Sequence, residues 1–128
     1  MRVLLVLAVV VGLGACREYP TRPVDRRPAI SSLVLFPKVI GQGDSAIITV
    51  FATDPDGDTI VYDWETDSRL IIKDGRPGVP FLYDTPSSSH VFYRSTAPPY
   101  NDSTWVWCSV RDHRGGGDSR VVLILLRN

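Results

Sequence analysis

Two short stretches concentrate the side chains able to do chemistry. The first is Asp54-Pro55-Asp56-Gly57-Asp58, with carboxylates at alternate positions. The second is Asp112-His113-Arg114-Gly115-Gly116-Gly117-Asp118. Carboxylates gathered in tight loops suit a hard cation, because calcium is surrounded by oxygen ligands. The same residue types also build turns, where Asp accepts from nearby backbone amides and Gly adopts left-handed backbone. Both readings stand for the candidate metal ligands Asp54, Asp56, Asp58, Asp112 and Asp118. Glu65 is twelfth counted from Asp54, as in an EF-hand loop. A strand between the two loops carries it about 20 Å from Asp58, beyond coordination reach. Catalytic spacing is missing: there is no G-x-S-x-G, no H-E-x-x-H and no phosphate-cradling glycine loop. His90 and His113 stand apart from any nucleophile motif, and the chain reads as a non-enzyme.

The elements that must hold these loops are short apolar runs separated by turn signals. Runs are predicted over 32–36, 45–53, 60–65, 69–72, 90–94, 105–111 and 119–126. A further edge segment is predicted within the proline-broken stretch 77–86. No stretch has helical periodicity of useful length. About seven short strands over about 100 residues predict an all-β sandwich. Period-two alternation puts Ile48, Val50 and Ala52 on one side of their strand, Ile60, Tyr62 and Trp64 on one side of theirs, and Val106, Cys108 and Val110 on one side of a third. These rows are the predicted core, and Cys108 reads as a small buried hydrophobe.

If Val106 and Cys108 point inward, Trp105 and Trp107 point outward. The last strand is apolar on both sides, with Val121, Leu123 and Leu125 alternating with Val122, Ile124 and Leu126. Exposed tryptophans beside an apolar row make a candidate partner surface. The alternative is that the irregular segment 74–103 folds over them. In an immunoglobulin-like sandwich the second-to-third and sixth-to-seventh strand loops emerge at one end. That would bring Asp54, Asp56 and Asp58 near Asp112 and Asp118, with a cation, or Arg111 and Arg114, as the neutralising charge.

Composition bounds the whole. The chain has 128 residues, 14 Lys+Arg against 14 Asp+Glu, and 44% apolar residues. That is one domain with a packed core, and a balanced charge does not favour nucleic acid as a partner.

Three segments together resemble PKD-type and related bacterial immunoglobulin-like domains: Ile47–Asp58, running into DPDGD; Ile60-Val61-Tyr62-Asp63-Trp64; and Val106–Asp112 before a glycine turn. The resemblance covers most of 30–128. It departs after Trp64, where Glu65-Thr66-Asp67 replaces the expected W-x-F-G-D-G turn. It implies an immunoglobulin-like (PKD-like) antiparallel sandwich used for adhesion, spacing or binding.

The N-terminus carries a second resemblance. Met1-Arg2 precedes an apolar run from Val3 to Val11, then Leu13-Gly14-Ala15-Cys16. Charge, apolar core and the L-G-A-C end are similar to a bacterial lipoprotein signal with its lipobox. The resemblance implies removal of 1–15, lipidation of Cys16, and anchoring to a membrane of the cell envelope by more than one acyl chain. Arg17, rather than Asp, after the cysteine favours the outer membrane where there is one. A plain secretory signal cut near a cysteine is the alternative. With Cys16 lipidated, Cys108 has no disulfide partner. Residues 16–29 read as a Pro/Arg-rich tether and 30–128 as the sandwich. The expected function is a membrane-anchored, non-enzymatic module presenting its domain to an envelope protein. The alternative is a calcium- or carbohydrate-binding module using the Asp-rich pole.

Overall fold

A computed structural model describes residues 21, 23–73, 78–95 and 102–128; the lipobox and Cys16 lie outside them. The strands are β1 (Ala29–Phe36), β2 (Val39–Ile40), β3 (Ser45–Thr53), β4 (Val61–Thr66), β5 (Leu70–Ile72), β6 (Phe81–Thr85), β7 (Ser89–Arg94), β8 (Asp102–Arg111) and β9 (Gly117–Leu126). They form two sheets, one of order β1-β3-β7-β5 and the other β2-β9-β8-β4-β6. The described residues contain no helix. This is the all-β sandwich that the strand pattern predicts, built of two sheets.

β-branched and aromatic residues at alternate positions produce these strands, because each strand has one side against the opposite sheet and one toward solvent. The core takes Ile48 and Val50 from β3, Tyr62 and Trp64 from β4, and Phe92 from β7. Val106, Cys108 and Val110 come from β8, and Ile124 and Leu126 from β9. Trp64 is its largest member, with no exposed surface. His90 meets its ring edge-on at 5.5 Å and Phe92 lies tilted at 5.6 Å. The predicted inward rows are the observed ones. Burial pushes the Cys108 thiol up to about 12, with the Asp63 charge adding to it, so this cysteine is a packing residue and not a nucleophile.

Two features depart from simple alternation. After β1 the chain changes sheet, and β2 runs parallel to β9, pairing Val39 with Leu125 and Ile40 with Leu126. After β4 the chain crosses to β5 in the other sheet, returns to β6, and crosses again to β7. β6 therefore extends the β4 edge. Of the 74–103 stretch, β6 joins the Trp105/Trp107 sheet on the far side of β4, and β7 belongs to the other sheet.

Candidate functional site

The long antiparallel pair β8–β9 sets one outer face. Trp105 stands opposite Leu123, and Trp107 opposite Val121. Glu65 on β4 stands opposite Trp107, and opposite Phe81 on β6. Alternation turns every one of these side chains away from the core. Both tryptophans are half-buried, each flanked by strand neighbours. Val121 and Leu123 are 62% and 60% exposed, and Leu125, Phe81 and Tyr83 are exposed beside them. The Phe81 and Tyr83 rings stack at 5.5 Å, and the Tyr83 hydroxyl donates to Glu65 Oε2 at 3.3 Å. Glu65, Trp105, Trp107 and Val121 line a shallow depression. The result is a continuous aromatic and aliphatic strip with one carboxylate near its centre.

At one end of this face a buried carboxylate is fully engaged. Asp63 accepts from Arg111 Nε at 2.5 Å, from Arg111 Nη2 at 2.9 Å, and from the Asp84 N–H at 3.0 Å. Arg111 also reaches Asp84 Oδ1 at 2.6 Å. The β4–β6 register shifts between Tyr62 and Trp64, and Asp84 has φ of 54°, so this irregularity brings its amide onto Asp63. The Arg111 hydrogen bonds hold the Asp63 carboxyl below its usual range against the opposing effect of burial, and the Asp84 amide adds to the lowering.

The β3–β4 and β8–β9 loops form the carboxylate pole. Asp54 Oδ1 accepts from the N–H groups of Asp56 and Asp58, at 2.8 and 3.2 Å. Asp112 Oδ1 accepts from Arg114 and Gly116, each at 2.8 Å. Those are turn-forming bonds. The segment before β1 joins them: Arg26 donates from its backbone and its Nε to Asp56, at 2.6 and 2.8 Å. Arg114 lies 3.6 Å from Asp25 and 3.2 Å from Asp58. Partial burial raises the Asp25 carboxyl, followed by repulsion from Asp112; Arg114 lowers it, and Asp58 and Asp56 raise it further.

The predicted set of metal ligands is therefore divided. Asp56 and Asp58 lie together, with carboxylate oxygens within 4.8 Å of each other and of Asp25. Asp118 takes no part, because its carboxylate accepts from Ile30 N at 2.9 Å and pairs with Arg120 at 2.8 Å. Arg111 does not neutralise the pole either, since Asp63 and Asp84 hold it; Arg114 does so alone from the β8–β9 side. Sequence reasoning missed Asp25, the Asp63–Arg111–Asp84 bridge and the Phe81–Tyr83 stack. The Asp25-Arg26-Arg27 charge run was the one available signal for the first.

The architecture and the two sites define a two-sheet β-sandwich with an outward aromatic face. No protein-family model matches the chain, and no curated protein does. Solved structures match the fold. One is a nucleoside hydrolase-related hypothetical protein from Saccharophagus degradans, associated with carbohydrate metabolism. It has TM-score 0.57 and 15% identity over 80% of this chain and 26% of that one. Another comes from carbohydrate-binding modules of the β-sandwich superfamily. It has TM-score 0.53 and 18% identity over 83% of this chain and 36% of that one. The chain thus spans about a quarter to a third of these proteins.

Proposed function

We propose that this chain is a non-enzymatic, lipid-anchored module of the bacterial cell envelope. Its outer β4–β6–β8–β9 face docks an extended apolar segment of an envelope protein. The observation that carries the reading is the register of Trp105 and Trp107 against the exposed Leu123 and Val121. An exposed strip of this composition matches the aromatic anchors that dominate protein interfaces.

Two features favour an extended protein segment over a sugar. Leu125 N and Arg127 N donate to Lys38 and Ile40 carbonyls beside β9. Strand geometry points the amides of Val121 and Leu123 toward the same edge, while Ser119 N is taken by Asp118 Oδ1. There no described strand pairs with them. An added strand would satisfy those groups and lay alternate side chains on the strip. Glu65, with no ion pair among the described residues, complements a Lys or Arg on that segment. The aliphatic row on β9 gives a sugar nothing to hydrogen-bond. The carbohydrate reading draws on the fold neighbours and on the Trp pair beside Glu65 and the Tyr83 hydroxyl. Calcium, if bound, belongs at the carboxylate pole and not on this face.

The test is a photo-crosslinking side chain placed in intact cells at Leu123 and, as control, at Phe51 on the other sheet's outer face. The expected result is a protein adduct from Leu123 alone, mapped by mass spectrometry to an apolar, Lys- or Arg-bearing stretch and lost in Trp105→Ala/Trp107→Ala. Adducts of equal yield from both positions overturn the reading. So does retention by envelope polysaccharide that disappears in the double variant.

A further inference from the structure

We propose that the outer face of the β1-β3-β7-β5 sheet lies against an anionic lipid bilayer, an orientation that rests on the lipid-anchored reading and turns the tryptophan face away from the membrane. Exposed apolar side chains gather on this face. Phe36 is 72% exposed, and Val34, Phe51 and Ile47 are each about half exposed. Phe36 stands opposite Ile47, and Ile47 opposite Val91. Alternation with the buried Ile48 and Val50 turns Ile47 and Phe51 outward. A contiguous apolar surface of this kind marks a place of contact.

Charge selects the occupant. The four strands of this sheet contain no Asp or Glu. Those of the other sheet contain Asp63, Glu65, Asp84, Asp102 and Asp118. The two lysines of the chain, Lys38 and Lys73, both flank the acid-free sheet. Lys38 is exposed two positions beyond Phe36. Lys73 follows β5 directly, with its Nζ 4.8 Å over the Tyr93 ring, and Tyr93 stands opposite Ile71. An apolar and aromatic floor with lysines at its rim suits a bilayer surface, where apolar groups meet the acyl boundary and amines reach the phosphates. The Thr49 and Ser89 hydroxyls hydrogen-bond each other at 2.9 Å, so the polar pair within the floor is satisfied without water. A second copy of this chain fits less well, because a two-fold contact of this face offers the lysines no carboxylate from its strands.

The reach of the chain agrees. The segment 23–28 enters at the carboxylate pole, where Arg26 is held by Asp56 and Arg114 lies 3.6 Å from Asp25. On the lipid-anchored reading, residues 16–22 separate the acyl chains from that segment, a span of at most about 25 Å. β3, which runs the length of the face, measures about 30 Å. So short a tether keeps the pole end at the bilayer and lets the whole face lie down. Standing on the pole would press Asp25, Asp54, Asp56 and Asp58 toward anionic headgroups. Lying on the other sheet would do the same with Glu65 and would cover Trp105 and Trp107.

The two outer faces thus divide the work. Packed sheets lie about 10 Å apart with their outer side chains pointing in opposite directions. With Phe36 and Ile47 on lipid, Trp105, Trp107 and Leu123 are held up for a partner at a fixed height and orientation. Each lysine near an anionic surface adds about fivefold to the preference for this arrangement.

The experiment uses the full chain, purified from expressing cells and reconstituted into vesicles of phosphatidylcholine with about 30% phosphatidylglycerol. A photo-reactive side chain is placed at Phe36 or, as control, at Leu123. Flotation with the vesicles reads the anchor, and lipid adducts counted by mass spectrometry read the face. Lipid adducts should form at Phe36 with about tenfold the yield at Leu123. That yield should fall about fivefold or more in pure phosphatidylcholine vesicles, and likewise in Lys38→Gln/Lys73→Gln, whose melting temperature should match the wild type. A chain that does not float overturns the anchor and this orientation with it. A chain that floats but gives no lipid adduct at Phe36, or equal yields at both positions, overturns the orientation alone. A cross-linked dimer through Phe36 makes a second copy the occupant and overturns it too. A yield that neither neutral vesicles nor the lysine variant lowers overturns the assignment to anionic lipid.

Discussion

Asp63 and Asp112 are both buried carboxylates, 5% and 3% exposed, yet their surroundings differ in kind. Asp63 has three donors shared between its two oxygens, two of them from a guanidinium. Asp112 has two amides on one oxygen and none on the other. Burial alone therefore does not say what a carboxylate is for. A buried charge that is matched by an arginine and fully hydrogen-bonded belongs to the scaffold. One whose second oxygen has no hydrogen-bond donor among the described residues is held through its turn alone.

The isosteric change Asp→Asn separates the two, and the larger effect is at Asp63. Asp63→Asn keeps the shape but removes the charge and turns one acceptor into a donor facing Arg111 or the Asp84 amide. Arg111 is 43% exposed along its side chain and can rehydrate, so the loss stays below that of a fully buried pair. Stability should fall by about 2 kcal/mol, seen as a melting temperature about 10 °C lower. A melting temperature unchanged in Asp63→Asn would remove the distinction drawn between the two residues.

Legibility in the sequence followed the range of the cause. The strand 45–53 is visible with its observed bounds because it is β-branched and apolar between the turn signals Gly41–Asp44 and Asp54–Asp58, and composition is a local property. The outward direction of Trp105 and Trp107 follows from the inward Val106 and Cys108 in the same way. β2 could not be seen, since two residues show no periodicity and its parallel partner lies at the far end of the chain. The Asp63–Arg111–Asp84 bridge depends on a register shift between β4 and β6, which no alternation announces. Asp25 stands in a proline-rich run, and its neighbour Arg26 meets Asp56 thirty positions away. Of the pole, the loop carboxylates were legible from turn composition, while the choice among them was made by packing. Asp118 was drawn off by the start of β1, and Asp25 was brought in by it.

Asp112→Asn is the smaller and opposite case. The retained Oδ1 still serves the Arg114 and Gly116 amides, and a neutral amide group replaces the buried oxygen that had no donor. One negative charge leaves a pole that has an excess. In chelator, urea unfolding should show stability unchanged to about 1 kcal/mol higher, the reverse sign to Asp63→Asn. A loss as large as that at Asp63 would remove the distinction drawn between the two carboxylates.

The smallest effect is the shape of stability against pH, where the two environments act with opposite signs. Asp63 has a folded pKa below its unfolded value of about 3.9, so its stabilisation is present above that value. It is lost as pH falls through the lower one. Asp56, Asp67 and Asp118, also lowered, act in the same direction. Asp25 is raised; its ionisation opposes folding above its folded pKa, and that opposition disappears as pH falls toward the unfolded value. Urea midpoints without calcium should therefore hold level or climb slightly on acidification from neutrality toward about pH 4, then drop. Asp25→Asn should remove the climb and keep the drop, whereas Asp63→Asn should make the drop shallower and keep the climb. If Asp25→Asn left the upper limb unchanged, the crowding of carboxylates at the pole would be too weak to distinguish it from the arginine-matched site.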